Sequence, residues 1–248
     1  MTSALSSAET TNIFYPSGDG EPVAETYDHC FALLTTLEVL RQYLAGQQAT
    51  VLGNQFLYYS QGFPRLRVAP DVMVIFGVEP VGRDNYKIWD EGQVPQVIFE
   101  MTSESTRTQD SEFKKTLYQQ LGVQEYWMFD PRGEWIDTTL VGYRLIRDTY
   151  EPITDSRSEP LGLRLAIEGK FIAFYREDTG EKLLIPDELA ERLQQETQAR
   201  VQAEAEAEQE RQRAEQERQR AEQERQRAEE LEAALARYRE RFGDLPDA

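Results

Sequence analysis

The chain holds one cysteine and one histidine among its 248 residues. A lone Cys30 cannot form an intrachain disulfide, which favours a reducing, intracellular setting. A lone His29 leaves zinc clusters and Cys-His nucleophilic catalysis all but excluded. No G-x-S-x-G, P-loop or G-x-G-x-x-G occurs. No apolar run approaches the roughly eighteen residues needed to span a bilayer, so no membrane association is expected. The first residues, MTSALSSAETTNIFYPSGDGEP, carry neither a basic segment nor a continuous apolar stretch and are not read as a signal peptide. A cytoplasmic location is expected. Bases are also short: 27 Lys and Arg face 45 Asp and Glu, for a net charge of −18. Residues before Pro186 hold 16 bases and 27 acids, and those from Pro186 onward hold 11 and 18. Both parts are acidic, so a general attraction to phosphate backbones by counterion release is excluded. Binding of nucleic acid then needs a local basic patch or metal ions that offset the carboxylates.

Hydrophobic residues make up 40% of the chain and aromatic residues 10%, enough for a core, although mean hydropathy is −0.64. The polarity is concentrated in the last quarter. Residues 1–24, rich in Ser, Thr, Gly and Pro, read as a flexible N-terminal arm. A folded domain is expected over 25–186, a charged helical tail over 187–242, and a disordered C-terminus over 243–248. Leu33, Leu37, Leu40 and Leu44 mark one face of a helix that starts near Thr26 and stops at Gly46. Strands are expected over Val51–Tyr59, Val68–Phe76 and Pro95–Met101, with an exposed loop from Gly77 to Val94. A second helix follows, with Phe113, Leu117 and Leu121 on one face and Gly122 just past its end. A fourth strand runs from Gln124 to Phe129 and ends at Asp130-Pro131-Arg132-Gly133, a turn signal. Further β structure follows, with a hairpin turn at Asp178-Thr179-Gly180-Glu181.

The tail carries three copies of AEQERQR over Ala207–Arg227. Glu208 with Arg211, and Arg211 with Glu215, are spaced as helix-stabilising pairs, each contributing about 0.2–0.5 kcal/mol. The seven-residue period suggests a coiled coil, but Glu210, Glu217 and Glu224 occupy one of the two seam positions, where apolar residues are wanted. A largely single, solvated helix is therefore expected. Its ends near Leu189–Leu193 and Leu231–Phe242 could pair weakly. Homodimerisation and capture of a protein partner by the tail stay open.

Carboxylates on strands are the remaining source of chemistry. Asp71 follows Pro70 in an apolar segment, and Glu100 ends another. Buried carboxylates are costly unless paired or bound to a metal, and two that converge suit Mg²⁺, which keeps several of its waters. Acids at strand ends also serve commonly in turns and caps.

The surrounding string carries more. Pro70-Asp71-Val72, Val97-Ile98-Phe99-Glu100-Met101-Thr102-Ser103, then Thr106, Asp110, Lys114 and Tyr118, and Gly122-Val123-Gln124-Glu125-Tyr126-Trp127 closed by Asp130-Pro131 resemble the putative restriction-endonuclease family of bacteria, a branch of the PD-(D/E)XK nuclease superfamily. Leu161-Gly162-Leu163 and Phe174-Tyr175 with Thr179-Gly180-Glu181 extend the likeness. The resemblance implies an α/β (α+β) fold with a core of helix, three strands, helix and strand, extra C-terminal strands, and then the charged tail. It implies a metal-dependent endonuclease acting on phosphodiester bonds, most readily of DNA. Asp71 and Glu100 would hold Mg²⁺ (Mn²⁺ as a substitute), with the Met101 carbonyl as a further ligand. A lysine would orient water or stabilise developing charge.

One departure stands out. The superfamily lysine lies two residues after the glutamate, where this chain has Thr102. The resemblance points instead to Lys114 on the following helix, with Lys115, about 100° further round, as competitor. Among other residues, Glu25, Asp28 and Glu38 could add a helix-borne acid. His29 reads as a solvated or capping residue, and Asp110 as structural first. Arg65, Arg67, Lys87, Arg107 and Arg132 could rim the cleft. The rival reading is a catalytically inactive nuclease-like fold acting as a binding or scaffold module through its tail.

Overall fold

A computed structural model describes residues 13–18, 20 and 25–243. The expectations for most of the N-terminal arm and for the last five residues fall outside them. Two compact units divide at Asp187 and Glu188.

In the first unit, helix α1 (Tyr27–Tyr43) is capped by Thr26, whose hydroxyl accepts from the His29 amide; such a cap contributes about 1 kcal/mol. A six-stranded sheet follows in the order β1 (Ala49–Gly53), β4 (Val72–Phe76), β6 (Val97–Met101), β7 (Glu125–Phe129), β8 (Leu140–Ile146) and β9 (Thr149–Ile153). Only β6 and β7 pair in parallel within it. The connection between them carries a π-helical turn (Gln109–Lys114) and helix α3 (Lys115–Leu121). Gly122 ends that helix at φ 83°, a left-handed conformation that costs glycine little.

The pleat divides the sheet residues into two cores. Val72, Val74, Val97, Phe99, Trp127 and Phe129 pack towards α1 and towards β11 (Leu163–Glu168) and β12 (Phe171–Arg176). Those two strands form a second sheet with β10 (Arg157–Ser158). Met73, Ile75, Ile98, Tyr126 and Met128 face the other way, onto Leu117 and Tyr118 of α3. Alternation therefore assigns Glu100, two residues after Ile98, to the α3 face. Glu125, two residues before Trp127, belongs to the α1 face. Opposite Trp127 in the register stands Gly142, where a Cβ would collide with the indole ring.

Four local expectations need correction. The expected strand Val51–Tyr59 breaks into β1 and β2 (Leu57–Tyr58), which lie in different sheets. The break falls at Asn54, whose φ of 50° turns the chain. The expected strand Val68–Phe76 breaks into β3 (Arg67–Val68) and β4, because proline offers no ladder donor. Residues 77–94 are not wholly exposed loop. They include β5 (Tyr86–Lys87), which pairs in parallel beside β2, and a short helix α2 (Ile88–Glu91), and Tyr86 is fully buried. Phe113 is 52% exposed rather than on the helix's apolar face. The π turn widens the helix at that point and presents Asp110 and Lys114 inwards instead.

In the second unit, helix α4 (Pro186–Phe242) runs for 57 residues. Its ladder differs from the one expected: Glu208 and Glu215 accept from Gln212 and Gln219 rather than pairing with Arg211. Among the described residues, no helix is long and apolar enough to cross a membrane.

Candidate active site

The site forms where β6 ends and β4 begins. Pro70 breaks the strand just before β4, and this leaves Asp71 at the sheet margin. The Asp71 Oδ2 accepts from the Met101 amide at 2.6 Å, and the Asp71 amide points at Glu100 Oε2 at 3.4 Å. The two acids are thus held together by backbone geometry, although 29 positions separate them.

Glu100 is 1% exposed. Tyr118 donates its hydroxyl to Oε1 at 2.7 Å, and Lys114 donates Nζ to Oε2 at 2.8 Å. Burial pushes the Glu100 carboxyl up to about 8, against the pull of the Lys114 charge; Asp71 and Asp110 add to the rise. Yet each of its polar contacts is a donor aimed at it, which suits the carboxylate rather than the acid. The site is therefore short of positive charge. Burial works against the charge of Lys114, but Glu100 and Asp110 outweigh it and hold the amine above its ordinary value.

Lys114 also stands 3.0 Å from Asp110. Asp110 is 1% exposed and accepts no well-aligned hydrogen bond, so the contact is an ion pair by distance alone. The four-residue spacing of Asp110, Lys114 and Tyr118 brings all three to one inward face. Lys115 lies elsewhere, with Nζ 3.6 Å from the centre of the Tyr143 ring.

His29 departs from the expectation of a solvated or capping residue. It is 4% exposed, and its Nε2 lies 3.6 Å from Asp71 Oδ1. Thr26 supplies the cap instead. Burial disfavours the imidazolium, but Asp71 and then Glu25 outweigh this and raise the His29 pKa. A sequence signal for this existed: His29 precedes Leu33 by four residues and so continues the buried stripe of α1. Tyr118 also received no role from sequence, although it shares the register of Lys114.

The remaining candidates scatter. Glu25 faces His29 at 3.6 Å, Asp28 pairs with Arg132 and Lys170, and Glu38 pairs with Arg41. Of the expected basic rim, Arg67 stacks on Phe56, Lys87 pairs with Asp90, and only Arg132 lines a cleft beside His29.

The donor set fits a hard dication in kind, since two oxygen-bearing carboxylates converge where charge is unbalanced. No group of three or more His, Cys, Asp or Glu able to hold a metal occurs among the described residues. A cation here would keep most of its coordination from water and backbone.

A helix, three antiparallel strands, a helix and a strand returning in parallel, with two acids at the shared strand ends, define a restriction-endonuclease-like nuclease fold. The family model Uma2, described as "Putative restriction endonuclease", matches residues 17–173. The chain belongs to this family. Among solved structures, a nuclease described as putative and belonging to DUF820, from Anabaena variabilis ATCC 29413, is similar at 14% identity. The match covers 55% of this chain and 72% of that one, with a TM-score of 0.40. No curated protein matches the chain.

Proposed function

We propose that the protein is a metal-dependent endonuclease that hydrolyses phosphodiester bonds of DNA. The observation that carries this reading is the meeting of Asp71 and Glu100 with Lys114, which donates to Glu100 at 2.8 Å. Asp71 and Glu100 hold Mg²⁺, for which Mn²⁺ substitutes, and the Met101 carbonyl is the further ligand. The bound ion supplies polarisation of the scissile phosphate and a lowered pKa for an attacking water.

The chain's own residues do the rest. Lys114 stands in for the lysine that Thr102 replaces, offering positive charge next to Glu100 where negative charge develops on the phosphate. Asp110 keeps that amine charged and aimed. Tyr118 fixes the second oxygen of Glu100. His29 restrains the free oxygen of Asp71, so that both acids are oriented before substrate arrives.

The test is cleavage of a mixed DNA pool with Mg²⁺ or Mn²⁺, using the full chain and its Asp71→Ala and Glu100→Gln variants. Both variants should lose at least about 100-fold in rate, the scale of removing one preorganised electrostatic group. Mn²⁺ should raise the melting temperature of the wild type and leave that of Glu100→Gln unmoved, since a ligand stabilises only the state that binds it. Cleavage that persists in Asp71→Ala overturns the assignment. Failure of any metal to support cleavage favours the scaffold reading.

A further inference from the structure

Resting on that reading, we propose that the cleft beside the acids is a subsite for one unpaired nucleotide, with its base against Trp135. The cleft has a volume of about 370 Å³, within the ~300–1,000 Å³ of small-ligand sites. One wall is the start of α1. The other two are the Thr102–Ser105 segment after β6 and the Asp130–Trp135 loop after β7. It thus opens at the C-terminal ends of the parallel pair, where ligands of such sheets gather.

Two residues that line this cleft each carry a buried polar atom with no hydrogen-bond partner among the described residues. The Thr102 hydroxyl is 2% exposed and makes no hydrogen bond. His29 Nδ1 likewise makes no hydrogen bond, with only the Glu25 carboxylate at 3.6 Å, while the other ring nitrogen faces Asp71. Buried polar groups are normally satisfied, so these two call for a ligand with polar edges. The half-buried Trp135 supplies a flat face. Its loop is fixed by Asp130, which is fully buried and accepts four backbone amides, from Arg132, Gly133, Trp135 and Ile136, at 2.5–3.3 Å.

The charge of the lining selects which part of a nucleotide enters. Asp28 is neutralised by Arg132 and Lys170, and Asp130 by its amides, but Glu25 has only His29, at 3.6 Å, and Glu104 has no ion pair among the described residues. A phosphate would be repelled here; a neutral base with amino groups would not. The base therefore lies in the cleft, and the phosphate lies outside it, next to Asp71. A base in a stacked duplex cannot reach such a recess, so the preferred substrate is single-stranded or locally unpaired. Stacking tolerates salt and sequence and needs no basic patch, which agrees with a net charge of −18.

The test uses the full chain in Ca²⁺ with a short fluorescein-labelled DNA strand, the same strand annealed to its complement, and a strand of equal length with abasic sites. Anisotropy should show the single strand bound more tightly than the duplex. Trp135→Ala should weaken single-strand binding about tenfold, and Trp135→Phe much less. The abasic strand should bind the wild type about tenfold more weakly, a comparison that needs no variant to fold. Equal binding of intact and abasic strands, an unaffected Trp135→Ala, or no single-strand binding at all overturns the proposal. Cleavage of the same strands in Mg²⁺ separates the two readings. Trp135-dependent binding without cleavage sinks the nuclease and leaves the subsite; cleavage indifferent to Trp135 and to abasic sites does the reverse.

Discussion

Glu100 and Glu125 lie on adjacent parallel strands, both essentially without solvent exposure, and have opposite surroundings. Glu125 opens β7 on the α1 face. Arg144 Nε and the Glu159 amide donate to its Oε1 at 2.9 and 3.0 Å, and Trp127 Nε1 donates to Oε2 at 3.2 Å. Arg144 continues to Glu159 at 2.7 Å. That network is closed: Arg144 and two N–H groups serve Glu125, and the second carboxylate on Arg144, Glu159, is solvent-exposed. Glu100 closes β6 on the α3 face, with Asp71 and Asp110 nearby and one lysine for all three. A buried carboxylate is therefore not by itself a site. What distinguishes Glu100 is unbalanced charge at the strand end that opens on a cleft.

Removing each acid should bring out the contrast. Glu125→Ala strands the Arg144 guanidinium and the Trp127 and Glu159 N–H groups. Breaking a buried pair in this way costs about 3–5 kcal/mol, and the surviving exposed partner Glu159 puts the loss at the lower end. Urea denaturation should show it as a lower midpoint. Glu100→Gln should change stability by no more than about 1 kcal/mol, because the cost of burying that charge disappears, the amide oxygen still accepts from Tyr118, and Lys114 keeps Asp110 at 3.0 Å. If the two variants lose equal stability, Glu100 is as structural as Glu125 and the comparison fails. Tyr118→Phe falls between the two. It removes one donor from Glu100 Oε1 and keeps the ring packed on Tyr126. The loss should be about 1–2 kcal/mol, the cost of leaving one buried acceptor unmet. It should be smaller still when introduced into Glu100→Gln, a coupling that a double-mutant cycle measures.

The distinction between the two acids was only half legible in the sequence. The succession of helix and strands is readable because Leu33, Leu40 and Leu44, and the apolar runs of β4, β6 and β7, repeat with the period of their element; the parallel pairing of β6 with β7 is shown only by the structure. Asp71 and Glu100 stood out because they interrupt such runs. Glu125 interrupts one equally, and nothing local marks it, since its satisfaction depends on Arg144, 19 residues away on another strand. The break at Pro70 and the π turn at Gln109–Lys114 were not readable either. Both are local departures from the periodicity by which elements show in a sequence. His29 carries two conflicting signals: its place at a helix start suggests a cap, whereas its four-residue spacing from Leu33 continues the buried stripe of α1, and its contact with Asp71, 42 residues on, is visible only in the structure.

Asp28 sets the floor of the comparison. It is a carboxylate with two cations, Lys170 at 2.7 Å and Arg132 at 3.0 Å, placed at the surface rather than inside. The hydrogen bond from Lys170 outweighs the modest cost of burial and, with Arg132, holds Asp28 below its ordinary value of 3.8. A depressed folded-state pKa contributes stability that is fully present above the unfolded value and lost as pH falls through the folded one. Asp28→Asn should therefore lower the melting temperature slightly near neutral pH, as expected for surface pairs that screening weakens. The gap between variant and wild type should close once the pH drops well below 3.8. It should also shrink in high salt, whereas the loss in Glu125→Ala should persist there, because the buried network is little screened. A gap in Asp28→Asn that ignores both pH and salt would mean that the residue acts through packing at the start of α1, and that its charge contributes nothing to holding Arg132 at the cleft.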